Sequence, residues 1–484
     1  MLNKGDLQEV LALALKHGGD FADIFVEEKR TVGVGCEADK IERINTGIDV
    51  GAGIRVISGE TTAYGYTNDL SLDGLIEAAK VVSHVARGAE RDVSVKLSEV
   101  RSNLDFVIQE RPDQVSIDQK VELLLKANKL VRGYDSRIKQ VTVGYGDVIQ
   151  KVIIANSEGE YVEDERIRTR FIVNAVAAEG TTIQTGYNAV GGVAGFELFR
   201  ENNPEDVAME AARRAILMLQ AQPAPAGKLA VVMAGEAGGT MVHEACGHGL
   251  EADLVQKKLS VYAGKKGQQV ANPQVTVIDD ATLKGKYGFY RFDDEGTPSE
   301  ECVLIKEGIL TDFMYDRLTA RKEGRKSNGH GRRESYQHKP IPRMGNTYIA
   351  PGKEDPERII KDVPNGLLVK KMGGGQVNTT TGDFVFDVAE GYLIKDGQIA
   401  APVRGATLSG NGPEVLNVVA RVGKDLGYTI GTCGKDGQGA PVSDAQPTIL
   451  IPDMVVGGTA AGDVHSPAVQ RDGQGPAVQR IRRI

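Results

Sequence analysis

The first half of the chain reads as one unit written twice, which leaves few folds open to it. In the first copy, residues 22–26 and 43–56 alternate as strands, Tyr64-Gly65-Tyr66-Thr67-Asn68 reads as a turn, and a helix is expected over 72–86. In the second, strands are expected at 141–155 and 166–179, followed by the turn Thr185-Gly186-Tyr187-Asn188. A helix then starts at Asn203-Pro204 and runs to about residue 219. Thr61-Thr62 and Thr181-Thr182 stand at matching points of the two copies. Between them, Ser116 can cap a helix that carries Val121, Leu124, Leu125 and Asn128 at helical spacing. Residues 221–227, with two prolines and no core former, read as a linker. After it come a buried strand at 229–233, a glycine turn at 235–239, and from 275 onward short apolar runs broken by Gly-Asp and Asp-Gly pairs. The expectation is an α+β protein: an N-terminal domain of duplicated units (1–220), a linker (221–227) and a larger strand-rich C-terminal domain (228–460). The last stretch, 461–484, repeats Pro-Ala-Val-Gln-Arg and ends in arginines, so it reads as a mobile basic tail.

Composition narrows the function classes. Hydrophobic content of 41% and charged content of 26% describe a globular chain, and the 59 glycines suit many tight turns and close backbone approaches. A net charge of −8 gives no support for nucleic-acid binding. Four widely separated cysteines do not make a disulfide framework. No apolar run approaches the roughly 18 residues a membrane span needs. These features lead to the expectation of a cytoplasmic protein with no membrane contact.

The chemistry concentrates in His243-Glu244-Ala245-Cys246-Gly247-His248, which holds two of only seven histidines. Imidazoles are common zinc ligands, and an adjacent glutamate can take a proton from water acidified by the metal. In the familiar His-Glu-x-x-His pattern the ligands lie four residues apart. Here the step is five, which on an ideal helix separates the side chains by roughly 140° rather than about 40°. The motif therefore needs a wider turn or a helix end, and Gly247 can supply either. The residues point to a metal-dependent hydrolase.

A catalytic zinc usually takes three protein ligands. Cys433, set among glycines and charges in Gly431-Thr432-Cys433-Gly434-Lys435, is the favoured third, against the reading of an inert thiol. Cys246 competes from within the motif, although a small apolar slot suits it better. From Arg317 to Arg343 there are nine Lys or Arg residues and two acids. That run is either a solvated face or an anion-recognition segment in which Arg332 or Arg333 grips a carboxylate and Tyr336, His330 or His338 meets an oxyanion. Gly373-Gly374-Gly375 reads either as a plain bend or as a place where an extended peptide adds to a strand, with Gly374 and Gly375 at the contact. Asp293-Asp294-Glu295-Gly296-Thr297-Pro298 reads as a surface turn, with hard-cation binding as the alternative.

Together these motifs resemble the TldD branch of the TldD/PmbA metalloproteases. The resemblance rests on 243–251, on Asp294-Glu295-Gly296-Thr297-Pro298, on Gly331-Arg332-Arg333-Glu334-Ser335-Tyr336, on Pro342-Arg343-Met344-Gly345-Asn346-Thr347, on Gly373-Gly374-Gly375-Gln376-Val377 and on Cys433-Gly434-Lys435. It implies one zinc ion held by His243, His248 and Cys433, with Glu244 as catalytic base. It also implies cleavage of extended or unfolded peptides and a TldE-like partner subunit or a homodimer. Two readings compete with that one: an amidase or peptidase restricted to one modified small peptide, and a non-enzymatic regulatory protein using the basic 317–343 segment.

Overall fold

The computed structural model describes residues 2–84 and 90–459; residues 85–86 of the expected first-unit helix and the tail at 461–484 lie outside them. The fold is α+β. Helix α1 (Lys4–Ala14) precedes the first unit, β1 (Phe21–Glu37), β2 (Lys40–Ser58), β3 (Thr61–Thr67) and α2 (Leu72–Ser83). A short strand β4 (Ser98–Glu99) and α3 (Ile117–Tyr134) lead to the second unit, β5 (Ile138–Asn156), β6 (Glu160–Glu179) and β7 (Thr182–Gly192). A single turn, α4 (Leu198–Glu201), then precedes α5 (Pro204–Gln220). Ser71, Ser116 and Asn203 cap α2, α3 and α5 with their side-chain oxygens. The two units join edge to edge through β1 and β5, antiparallel from Asp23↔Asn156 to Glu37↔Thr142.

The two segments read as turns are strands instead, and their glycines have a packing reason. A Cβ on Gly65 would meet Val82 of α2 at 3.0 Å, and one on Gly186 would lie 1.9 Å from the Ala211 carbonyl of α5. Each glycine lets the unit's helix lie flat on its third strand. The parallel roles of these two positions are the clearest mark of the duplication.

Side chains alternate across the sheet. One face is apolar and covered by helices: Ile24, Val26, Ile54 and Val56 pack under α1 and α2, and Val143, Phe171 and Val173 under α3 and α5. The other face, turned toward the C-terminal half, holds Asp23, Glu27, Arg55, Asp164, Arg166 and Arg168, all buried. Arg55 donates to Asp23 and, at 2.6 Å, to Glu295; Arg166 pairs with Asp164 and Asp294. The 293–298 segment is therefore a buried ionic junction rather than a surface turn. The 317–343 run is only partly a solvated face: Arg321, Lys322, Lys326 and Lys339 lie at the surface, whereas Arg332, Arg333 and Arg343 are buried and Arg317 pairs with Glu158 and Glu160. Arg317 and Arg333 reach the N-terminal half, while Arg325, Arg332 and Arg343 bond residues of the C-terminal half itself.

The segment read as a linker is laid down on the C-terminal half. Strand β8 (Gln222–Pro223) pairs with Val403 and Arg404, Ala224 is fully buried, and β9 (Gly227–Met233) enters the core. Strands Asn365–Val377, β9, Ile449–Gly457, Thr407–Asn411 and Asp383–Lys395 form a ring, closed by the pairing of the first with the last. A second, six-stranded sheet ends in Asn346–Ile349, Gln438–Gln446 and Gly427–Lys435. The His-Glu motif lies between these two sheets.

Candidate metal centre

Glycines bring the motif to its place. The turn after β9 presses so close to the hairpin 427–446 that a Cβ on Gly238 would meet Thr429 at 2.2 Å, and one on Gly239 the Ala445 nitrogen at 2.1 Å. This docks α6 (Thr240–Val242) against strand Gln438–Gln446. The helix then widens into a π turn over His243–Gly247, where the His248 amide donates to the His243 carbonyl. The wider turn carries the five-residue step and brings both imidazoles to one side, with ring centroids 4.9 Å apart. The Tyr262 hydroxyl donates to the Ala245 carbonyl at 2.9 Å, supporting the turn. A side chain at Gly247 would run into Met344, 2.3 Å from its sulfur.

Cys433 arrives on strand Gly427–Lys435, and its Sγ lies 3.3 Å from His248 Nε2. Ligand atoms of His243, His248 and Cys433 all fall within 4.8 Å of one another. Each imidazole is oriented through its other nitrogen: His243 Nδ1 lies 2.7 Å from Asp444 Oδ1, and His248 Nδ1 lies 3.2 Å from Glu251 Oε2. Carboxylates in these positions fix the ring and raise the basicity of the inward nitrogen. Lys435 in turn holds Glu251 at 3.1 Å and Asp253 at 2.6 Å.

The electrostatics suit a cation. Burial works against charge on both imidazoles, yet Asp444 holds His243 well above the usual range and Glu251 takes His248 up to about 9. Burial would push the Cys433 thiol up, but hydrogen bonds and charge from the two imidazoles bring it down to about 5. Glu251 is buried as well, and Lys435 and His248 outweigh that burial to hold it at about 2. A thiolate and two imidazoles backed by carboxylates form a donor set that a soft divalent ion satisfies. Glu244, in the same turn, is partly exposed and makes no hydrogen bond among the described residues. Burial raises its carboxyl, against the charges of His243 and His248.

Cys246 turns away from this cluster. It is fully buried in the apolar core, bonds the Val242 carbonyl, and burial pushes its thiol up to about 12. The other candidates also lie apart from the three ligand atoms. His330 is sealed between Asn328 and Asp279 at 3.0 and 3.1 Å. Arg333 donates to the Asp294 carbonyl and the Tyr64 hydroxyl, Tyr336 reaches Asp49, and His338 meets Ser335. Arg332 bonds the Met344 and Pro441 carbonyls. Most of these donors are already engaged by the protein itself, although Arg333 Nε has no hydrogen-bond partner among the described residues. Gly374 is exposed with open space around it, while Gly375 leaves no room beside Phe386. Sequence reasoning assigned no role to Asp444, Glu251 or Lys435. Glu251 has a local signal, three residues after His248 on the same short helical stretch; Asp444 has none, because only the hairpin register sets it beside His243.

Comparison with known proteins sets the chain among metallopeptidases. Family models match residues 22–86 (PmbA/TldA metallopeptidase domain 1), 110–219 (central domain) and 226–458 (C-terminal domain). A protein named metalloprotease TldD homolog from Haemophilus influenzae is 36% identical over 91% of this chain and 93% of its own length. A metalloprotease from Methanocaldococcus jannaschii is 36% identical over 92% of this chain and 97% of its own. The crystal structure of TldE from Thermococcus kodakarensis shares the fold at a TM-score of 0.75 and 20% identity, covering 93% of this chain and 99% of that one. The chain belongs to the TldD branch of the PmbA/TldD metallopeptidase family.

Proposed function

We propose that this chain is a zinc-dependent peptidase that cleaves extended or unfolded polypeptides, acting as the metal-bearing subunit beside a TldE-like partner. The observation that carries this reading is the convergence of His243, His248 and Cys433 within 4.8 Å, with Glu244 in the same turn. A bound zinc ion would supply Lewis acidity toward the scissile carbonyl and acidify water. Asp444 and Glu251 keep both imidazoles in the tautomer that offers Nε2 inward. Glu244, whose carboxylate has no hydrogen-bond partner among the described residues and is shifted upward by burial, is suited to take a proton from the attacking water and return it to the leaving amine.

The substrate class follows from the neighbouring strand. Asn365–Val377 contacts the π turn, and its pairing with β9 ends at Val369↔Met233. From Lys370 to Val377 that edge has no strand partner among the described residues. An extended chain adding there is held by its backbone, which favours broad sequence selectivity. The similarity to TldE in fold supports a partner of the same architecture.

Glu244→Gln is expected to retain zinc at wild-type stoichiometry by elemental analysis while losing nearly all cleavage of an unfolded casein-like substrate. Cys433→Ser is expected to lose most of the metal. Wild-type cleavage by the first variant removes Glu244 from the mechanism; full zinc in the second removes Cys433 from the ligand set.

A further inference from the structure

A second site lies away from the metal ligands. A cavity of about 110 Å³ opens between the charged face of the N-terminal sheet and the C-terminal half, large enough for several waters or a small ion. Gly439 and Pro441 of the hairpin 427–446 line it. Between them, Ala440 pairs with Cys433, so strand alternation puts this cavity on the hairpin face opposite the Cys433 thiol.

The lining charges do not balance. Lys29, Arg166, Arg168, Arg332 and Arg333 face three carboxyl groups, and each of those three already has a partner. Asp294 accepts from Arg166 and the Arg333 amide, Asp293 from the amides of Glu295, Thr297 and Gly331, and Glu334 from the Gly439 amide. Arg168 and Arg332, both under a tenth exposed, hydrogen-bond only carbonyl oxygens among the described residues, and Arg332 also lies over the Tyr290 ring, 5.0 Å from its centroid. Arg168 donates to Tyr287 and Phe289, and Arg332 to Met344 and Pro441; neither forms an ion pair among the described residues. Arg168 Nη1 has no protein acceptor, and the Lys29 ammonium at the rim has none either, among the described residues. Burying two guanidinium groups without a counter-charge is costly, and the cost is met when an anion completes the set.

We propose that this cavity binds a small oxyanion, a carboxylate or an inorganic phosphate, between Arg168 and Arg332 with Lys29 at the rim. Each arginine offers planar donors suited to two oxygens of such an ion. Burial, with the charges of Arg332 and Arg166 added to it, brings Arg168 down to about 10, in keeping with a guanidinium set among other cations. The ion would bridge the sheet to the hairpin that carries Cys433, so its binding is expected to tighten the junction between the halves.

The test is thermal unfolding of the full chain against increasing sodium phosphate or sodium acetate, with ionic strength held constant by chloride. A saturable rise in Tm is expected for at least one ion, and the ion with the lower half-saturation distinguishes a tetrahedral from a planar ligand. Arg168→Gln is expected to raise the half-saturation concentration by about tenfold or more, and Lys29→Met by about threefold. Lys29 is half-buried and unpartnered, so its variant decides the matter if Arg168→Gln does not fold. No saturable shift with either ion, or unchanged half-saturation in the folded variants, overturns the proposal.

Discussion

Asp444 shows how much a single outer carboxylate contributes at a centre like this. Its 2.7 Å contact to His243 Nδ1 decides which imidazole nitrogen faces Cys433. Asp444→Ala is expected to weaken zinc binding by about 10–100-fold, as measured by competition with a chelator. Cys246→Ser should leave zinc stoichiometry unchanged, because its side chain points into the core toward Val242 rather than toward the imidazoles. A loss of metal there would mean that the π turn rearranges on loading. The candidate set His243, Glu244, His248 and Cys433 could be named from the sequence because chemistry dictates the residue types and local spacing constrains three of them, and the ligand atoms of the two histidines and Cys433 do converge. Asp444 could not be, since it stands 201 residues from the ring it orients.

Among elements, the π turn and the third strands of the duplicated units carry the most information. The five-residue spacing of the histidines demanded a widened turn, and His243–Gly247 provides one. Gly247→Ala places a methyl 2.3 Å from the Met344 sulfur, an overpacking expected to cost about 1–3 kcal/mol and to show as a lower denaturation midpoint. The third strands were misread as turns because a Tyr-Gly-Tyr or Thr-Gly-Tyr run carries the same residues as a turn. Its glycine serves helix docking instead. Gly186→Ala sets a methyl against the Ala211 backbone, whereas Gly144→Ala meets nothing within 4 Å. Urea unfolding should therefore show the first variant less stable by about 1–3 kcal/mol and the second within about 0.5 kcal/mol of wild type. Equal losses would break this account of the duplication.

At the scale of the whole molecule, the halves meet through a buried ionic layer. Arg55 is about 1% exposed between Asp23 and Glu295, so Arg55→Leu strands two carboxylates and is expected to cost about 3–5 kcal/mol in denaturant unfolding. The same layer makes stability depend on pH. Burial, and next the charge of Glu295, push the Asp316 carboxyl up to about 7. A folded pKa above the unfolded one means that the folded state binds the proton more tightly. This contribution is therefore complete below the ordinary aspartate range near ~3.9 and is lost as pH rises through about 7. Tm is expected to fall between pH 5 and pH 8, and Asp316→Asn, which can still accept from the Thr319 amide, should flatten the decline. An equally steep profile in the variant would assign the effect elsewhere.

The sequence by itself determined the fold class, the duplicated units and the residue types of the candidate metal-binding motif, because periodicity, caps and donor chemistry are local properties of the chain. Its alternation also put charges on one face of the N-terminal strands, though without showing what that face would meet. Only the tertiary structure decided that the acids of the 293–298 segment, and Arg317 and Arg333 beyond it, meet that face, since their polarity reads as surface until opposite charges are brought within hydrogen-bonding distance. It likewise decided which carboxylate orients each imidazole, and that Arg168 and Arg332 form no ion pair among the described residues. Pairings across more than a hundred residues depend on how sheets stack, and no local pattern encodes that.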